Sequence, residues 1–156
     1  AINRSGMKHF TCILLFLLLG VSGSAQEKPL PKDIPSLTAL AEKGDANAQN
    51  ELGVRHYSGQ GVKKNFNEAL KWFTKAAAQG FAKAQADLGA MYAIGKGVQQ
   101  NNSIAYAWWN IAVFNGNVKA KKAKALVTKK MTPAEISMAQ ELSKKLLKKH
   151  PKAAKQ

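Results

Sequence analysis

The sequence predicts an all-α fold, a solenoid in which antiparallel helix pairs stack one upon the next. Three observations predict it: an internal repeat of 36 residues, apolar residues at helical spacing within each unit, and a capped helix after the last unit. Residues 48–83 and 84–119 align without a gap and are identical at 13 of 36 positions. Because each helix has an apolar face too narrow to fold alone, the units must stack.

The first 25 residues have the composition of a secretory signal peptide. Met7, the expected start, and Lys8 precede an apolar run at 13–19, which small residues follow up to Ala25. The run is too short to span a bilayer, so we expect export and cleavage after Ala25, with an N-terminal membrane anchor as the alternative. Cys12 would be removed with the signal peptide, so the mature chain would have no thiol for catalysis or metal binding.

The chain after the signal divides into a leader, a repeat region, a cap and a tail. Residues 26–35 contain proline and lysine and predict a flexible leader. The helical repeats are expected over 36–131, followed by a capping helix at 132–149 and a basic tail at 150–156. Within the repeat region we expect a half-repeat at 36–47, full repeats at 48–83 and 84–119, and a degenerate segment at 120–131.

Each full repeat is predicted to contain two helices. Ala48 and Leu52 begin an apolar stripe with four-residue spacing in the first helix, and Trp72 belongs to a second stripe in the second helix. Gly53 and its equivalent Gly89 lie beside the first stripe, where they would let a neighbouring helix approach closely.

The Gly-x-Gly-Val segments at 59–62 and 95–98 predict corners between the two helices of a unit. A phosphate-binding loop requires G-x-x-x-x-G-K-[ST]. Here the stretch between Gly89 and Gly95 is one residue too long for this motif. In addition, Gly97 follows Lys96 where serine or threonine is needed. Asn65 can cap the second helix.

The segment after the repeats predicts a helix that covers the end of the solenoid. Thr132 is a suitable N-cap, and Glu135 three residues later completes a capping box. The predicted inner stripe consists of Ile136, Ala139, Leu142 and Leu146.

Charge is the strongest feature of composition. The chain has 24 basic and 9 acidic residues, a net charge of +15, and twelve of its lysines fall between Lys119 and Lys155. Such a field attracts anionic surfaces. The predicted outward residues of the cap, which could contact an anionic surface or be a solvated helix end, are Lys144, Lys145, Lys148 and Lys149.

The repeat resembles the Sel-one-like (Sel1-like) repeat, a relative of the tetratricopeptide repeat, over residues 37–119. The shared pattern is A-x-x-x-L-G-x-x-Y-x-x-G-x-G-V-x-x-(D/N)-x-x-x-A-x-x-W-(F/W)-x-x-A-A-x-x-G. In the second unit its positions are Leu88, Gly89, Tyr92, Gly95, Gly97, Val98, Asn101, Ala105, Trp108 and Gly116. The first unit has His56 in place of the tyrosine.

The resemblance implies a right-handed superhelix of antiparallel helix pairs that serves as an adaptor for protein partners. The family includes exported bacterial members, so we expect a periplasmic or secreted bacterial protein. A cysteine-rich subgroup has been linked to penicillin-binding or β-lactamase activity. The repeats of this chain contain no cysteine.

The residues favour a binding surface over a catalytic site. No nucleophile, base or metal-ligand set has the required spacing, so we expect no enzyme activity, no cofactor and no metal. The tryptophans are expected to lie in the core, and Trp109 is the one most expected to keep a partly exposed edge. In tetratricopeptide-like arrays the first helices line the concave face, where we expect Asn47, Asn50, Val54, Tyr57, Ser58, Lys83, Ala86, Ala90, Ala93 and Ile94.

The predicted function is therefore that of an exported adaptor with a protein or peptide partner and no specific nucleic acid. Two alternatives remain open at this point. One is a hydrolase acting on cell-wall or β-lactam substrates, and the other is an anchor to anionic envelope polymers through the lysine-rich end.

Overall fold

A computed structural model describes residues 29–149, which form seven helices and no strand. The predicted signal peptide, the start of the leader and the basic tail lie outside these residues. The helices are α1 (Ile34–Glu42), α2 (Ala46–Ser58), α3 (Phe66–Ala78), α4 (Ala82–Ile94), α5 (Asn102–Phe114), α6 (Val118–Thr128) and α7 (Pro133–Lys149).

The helices stack in chain order as a helical-repeat solenoid, which confirms the predicted fold class. Consecutive helices from α1 to α6 pack against one another, so that α2–α3 and α4–α5 are the pairs of the two units. The last helix, α7, packs mainly against α5. Each second helix therefore packs between the first helices of two successive units.

The helices keep the 36-residue period but start earlier than the predicted units. The first helices α2, α4 and α6 begin at Ala46, Ala82 and Val118, two residues before each predicted boundary. At the N-terminal end, α1 begins at Ile34, inside the predicted leader. The reason is that Oδ1 of Asp33 accepts the Ser36 N–H at 2.9 Å and caps the helix.

The described part of the leader packs against the first repeat. Leu30 is partly buried against a cluster that includes Leu37, Ala41, Leu52 and Trp72. Burial of this apolar side chain favours contact of the leader with α1 and α2.

The Gly-x-Gly-Val segments form the predicted corners. Gly59 and Gly95 end α2 and α4 in the left-handed region, with φ of 82° and 69°, a conformation that glycine adopts without steric cost. The Asn65 N–H then donates to the His56 carbonyl at 2.9 Å, and the equivalent bond in the second unit is 2.8 Å. Each corner returns the chain alongside its own first helix.

Glycine in the first helices allows an aromatic ring to lie directly on the backbone, as predicted. A Cβ atom at Gly89 would lie 2.6 Å from Nε1 of Trp109, and one at Gly53 would lie 2.7 Å from the ring of Phe73. The indole of Trp109 donates to the Ala86 carbonyl at 3.0 Å. Trp109 is buried, so the expectation of a partly exposed edge is wrong.

Buried amide side chains link the units, a feature that the apolar periodicity does not predict. Nε2 of Gln85, which is fully buried, donates to the Ala77 carbonyl at 3.1 Å, and its Oε1 accepts from Nδ2 of Asn115 at 2.9 Å. The first unit repeats this arrangement with Gln49 and Gln79, whose side chains are joined at 2.8 Å. Each bridge ties three successive helices together.

The helix α7 begins with the predicted capping box. The Thr132 N–H donates to Oε2 of Glu135 at 2.7 Å, and the Glu135 N–H donates to Oγ1 of Thr132 at 3.3 Å. The Thr132 N–H and the Thr132 hydroxyl, which donates to the same Oε2 at 2.9 Å, hold the pKa of Glu135 below its ordinary value.

The inner face of α7 differs from the predicted stripe. Ala139 is buried and Leu146 packs against the main core, as expected, but Ile136 and Leu142 are only partly buried and lie outside the core clusters. Ser143 is buried in their place. Its hydroxyl donates to the Ala139 carbonyl at 2.8 Å, which satisfies the polar group inside the packed face.

Candidate functional site

A pocket of about 260 Å³ opens between the first helices of the two units. Val54 and Tyr57 line it from α2, Ala90 and Met91 line it from α4, and Phe73 of α3 lies between them. We call this surface the groove. Its walls are apolar apart from the tyrosine hydroxyl and one further side chain.

That further side chain is Asp87 of α4, whose carboxylate is poorly solvated. Its Oδ2 is buried and has no hydrogen-bond partner among residues 29–149. Burial raises the pKa of Asp87 from 3.8 to about 6, while the charge of Lys83 acts in the opposite direction. A buried carboxylate oxygen without a donor is costly, so a group that donates to it would bind favourably.

The first unit carries the same acidic position with an internal partner. Glu51 lies 36 residues before Asp87, and its Oε1 accepts from Nε of Arg55 at 2.8 Å. Met91 stands at the arginine position in the second unit. Asp87 therefore lacks the guanidinium that its counterpart has.

The structure brings three of the predicted binding residues together and separates the others. Val54, Tyr57 and Ala90 line the groove. Asn50 does not lie on the surface, because it is 1% exposed and its Oδ1 is buried without a hydrogen-bond partner. Asn47 lines a separate pocket beside the leader.

The remaining predicted binding residues lie at the ends of the helices or turn towards the core. Ser58, Lys83 and Ile94 are exposed but do not line the groove. Ala86 and Ala93 pack against the cluster formed by α5, α6 and α7.

Asp87, Met91 and Phe73 were missed as groove residues by sequence reasoning. An acidic residue at a repeat-equivalent position, Glu51 in one unit and Asp87 in the next, reads as a solvated helix face. The residue four positions later distinguishes the two units. Arg55 can pair with Glu51, whereas Met91 cannot pair with Asp87.

The predicted lysines of α7 are all exposed, and Lys144 pairs with Glu141 at 2.7 Å. No group of three or more potential metal ligands exists within residues 29–149. In the same stretch, no helix has both the length and the apolar character needed to cross a membrane. His56 packs in the first unit with its Nδ1 buried and unbonded.

The stacked pairs, the corners and the repeated amide bridges define a class of protein, the α-helical repeat solenoid. Residues 46–81 and 82–117 each match the Sel1 repeat. The chain therefore contains two repeats of the Sel1-like family. Sel1 repeats commonly mediate protein–protein interactions and are generally non-catalytic scaffolds.

Solved structures of the same family superimpose on the chain. One is a protective antigen present in uropathogenic Escherichia coli strains that displays an SLR fold, with a TM-score of 0.72 and 33% identity over 74% of this chain and 25% of that one. Another is a Sel1 repeat protein from Oxalobacter formigenes, with a TM-score of 0.58 and 36% identity over 60% of this chain and 27% of that one. The chain thus spans about a quarter of the length of these relatives. No curated protein matches it.

Proposed function

We propose that the protein is an exported adaptor that binds an extended segment of a partner protein along the groove, on the concave face formed by its first helices. The observation that carries this proposal is the pocket between α2 and α4, with apolar walls and one unpartnered carboxylate oxygen. Ligand sites in proteins have this composition, mostly apolar surface with a few polar groups that fix orientation.

An apolar stripe along the first helices supports an extended ligand. Val54 and Ala90 occupy equivalent positions in α2 and α4, and Leu126 occupies the same position in α6, where it is 63% exposed. Exposed apolar side chains in a row are typical of interaction surfaces. A segment that lies across all three helices would cover them together.

Export is part of the proposal because residues 1–25 have the features of a signal peptide. N-terminal sequencing of the protein recovered from the cell envelope is expected to begin at Gln26. A chain that retains residues 7–25 in that fraction would support the membrane-anchor alternative instead.

Filling the groove is expected to abolish peptide binding. Peptides would be selected from a random displayed library against the purified protein at about 0.15 M salt. Because Ala90 is exposed and lines the groove, Ala90→Trp should leave the fold intact and weaken the selected peptides by about tenfold or more, as blocking an anchor site does.

The matched control is Ala78→Trp, since Ala78 is an exposed alanine at the end of α3 and does not line the groove. Affinity is expected to be unchanged by it. Equal binding to the two variants would contradict the groove as the site. An anchor that acts through the lysines of α7 would instead bind both variants equally and lose affinity steeply with added salt.

A further inference from the structure

We infer that the groove accepts a lysine or arginine side chain of the partner, whose cationic group pairs with the carboxylate of Asp87, a partly buried residue that lines the groove. This inference rests on the proposed function and specifies the chemistry of the segment that binds. The alkyl part of such a side chain would lie against Val54, Ala90 and Met91. The ligand therefore combines an apolar stem with a charged end, as long basic side chains do.

The geometry of the pocket requires a donor at one place and apolar surface elsewhere. Oδ2 of Asp87 has an exposed area near zero and accepts no hydrogen bond within residues 29–149. The other lining groups, apart from the Tyr57 hydroxyl, are aliphatic, thioether or aromatic. A purely apolar ligand would bury the carboxylate further without a donor, which is unfavourable, whereas a cation offsets its desolvation.

The first repeat shows which partner this acidic position takes when the chain itself supplies one. Glu51 pairs with Arg55, four residues later and partly buried, through a contact of 2.8 Å. In the second repeat the residue four positions after Asp87 is Met91, which is 1% exposed and belongs to the main core. A guanidinium or ammonium from a partner would thus take the role that Arg55 has in the first repeat.

Within residues 29–149 no cation forms an ion pair with this carboxylate. Lys83, one turn earlier on α4, is exposed and forms no ion pair with Asp87 within the described residues. Tyr57 is the titratable residue that faces the pocket from α2, and α3 contributes only Phe73. Burial raises the pKa of Asp87, and the charge of Lys83 opposes that rise only in part.

The charge of the whole chain restricts the rest of the ligand. A net charge of +15 repels a strongly basic peptide. We therefore expect a single lysine or arginine within a segment that is otherwise neutral or acidic. Acidic flanking residues would be favoured by Lys129, which follows α6 at the position equivalent to Tyr57 and is exposed.

The test is a double-mutant cycle between the protein and a peptide from the selection above that Ala90→Trp blocks. In the peptide, the basic residue is replaced by citrulline for arginine or norleucine for lysine. In the protein, Asp87→Asn removes the charge with little change of shape. Each single change is expected to weaken binding about tenfold, and the two together little more than either alone.

The control is Glu68→Gln, which removes an acidic charge from α3, where Glu68 is paired with Lys71 outside the groove. It should leave the affinity within about twofold. Groove-dependent peptides without an enriched cation, or with equal affinity for Asp87→Asn and the unchanged protein, would overturn this inference and leave the proposed function standing. Absence of any peptide sensitive to Ala90→Trp would overturn both.

Discussion

Replacing Gln85 by leucine is expected to lower the free energy of unfolding by about 2 kcal/mol. The substitution keeps a side chain of similar size but removes the bridge between the Ala77 carbonyl and the Asn115 amide. The carbonyl retains a hydrogen bond from the Gly80 N–H, so the main cost is the loss of the partner of Asn115. Its Oδ1 is already buried and unbonded. Unsatisfied groups of this kind cost about 1–3 kcal/mol.

Urea unfolding followed by circular dichroism measures this effect. Gln140→Leu is the matched control because Gln140 is exposed on α7 and its side chain forms no hydrogen bond within residues 29–149, and it should change stability by less than about 0.5 kcal/mol. Gln49→Leu, in the equivalent bridge of the first unit, is expected to resemble Gln85→Leu. If Gln85→Leu were as stable as the unchanged protein, the bridges would not contribute to the stacking of the units.

Replacing Asp87 by asparagine is expected to stabilise the protein at neutral pH and to have little effect at pH 4. Burial raises the pKa of Asp87 from 3.8 to about 6. Near pH 4 and below, both folded and unfolded chains carry the protonated acid for much of the time, so its burial costs little. As the pH rises from 4 to 6 the unfolded chain loses the proton first, and the folded state becomes relatively less stable.

Above pH 6 the ionised Asp87 carboxylate destabilises the folded state to its full extent. The rise of the pKa from 3.8 to about 6 corresponds to about 3 kcal/mol, which partial solvation of the side chain reduces to about 2 kcal/mol. Urea unfolding of the two proteins at pH 4 and pH 7.5 gives the difference directly, and Glu68→Gln serves as the control for loss of an exposed charge. A stability difference that is equal at the two pH values would show that the Asp87 carboxylate is well solvated.

The architecture of this chain was predictable because it depends on patterns that repeat. The 36-residue period, the glycine corners and the capping box of Thr132 and Glu135 each follow from local geometry, and the structure contains all of them. Helix starts were displaced by two residues. A period alone does not determine at which residue each repeat begins. The helix α2 begins at Ala46 because the Asp45 side chain caps it.

The polar interior was not predictable from the same patterns. Gln85, Asn50 and Ser143 are buried although their type favours the surface. The hydrogen-bond partners of Gln85 lie on neighbouring helices, and a single helix pattern does not contain them. The hydroxyl of Ser143 is satisfied by the Ala139 carbonyl of its own helix, but its burial depends on the helices packed against α7. Lys121 stands at the Gln85 position of the third unit and is exposed, which fits the degenerate character of that segment.

The groove likewise contains residues that the sequence predicts and residues that it does not. Three of its residues, Val54, Tyr57 and Ala90, were expected from their positions on the first helices. Asp87 was not, because an acidic residue on a helix face is usually solvated and only the distances around it reveal a missing partner. Comparing the two units residue by residue, including the position four residues later, would have identified it.

Site-specific photo-crosslinking in the native host tests the central claim, that the groove is the surface that binds a partner. A photoreactive amino acid would replace Ala90 in one variant and Ala78 in the other, both exposed alanines on different faces of the repeat. We predict a covalent adduct with a discrete partner protein from position 90, with little or none from position 78. The same adduct in equal yield from both positions, or from position 78 alone, would contradict the groove as the binding surface.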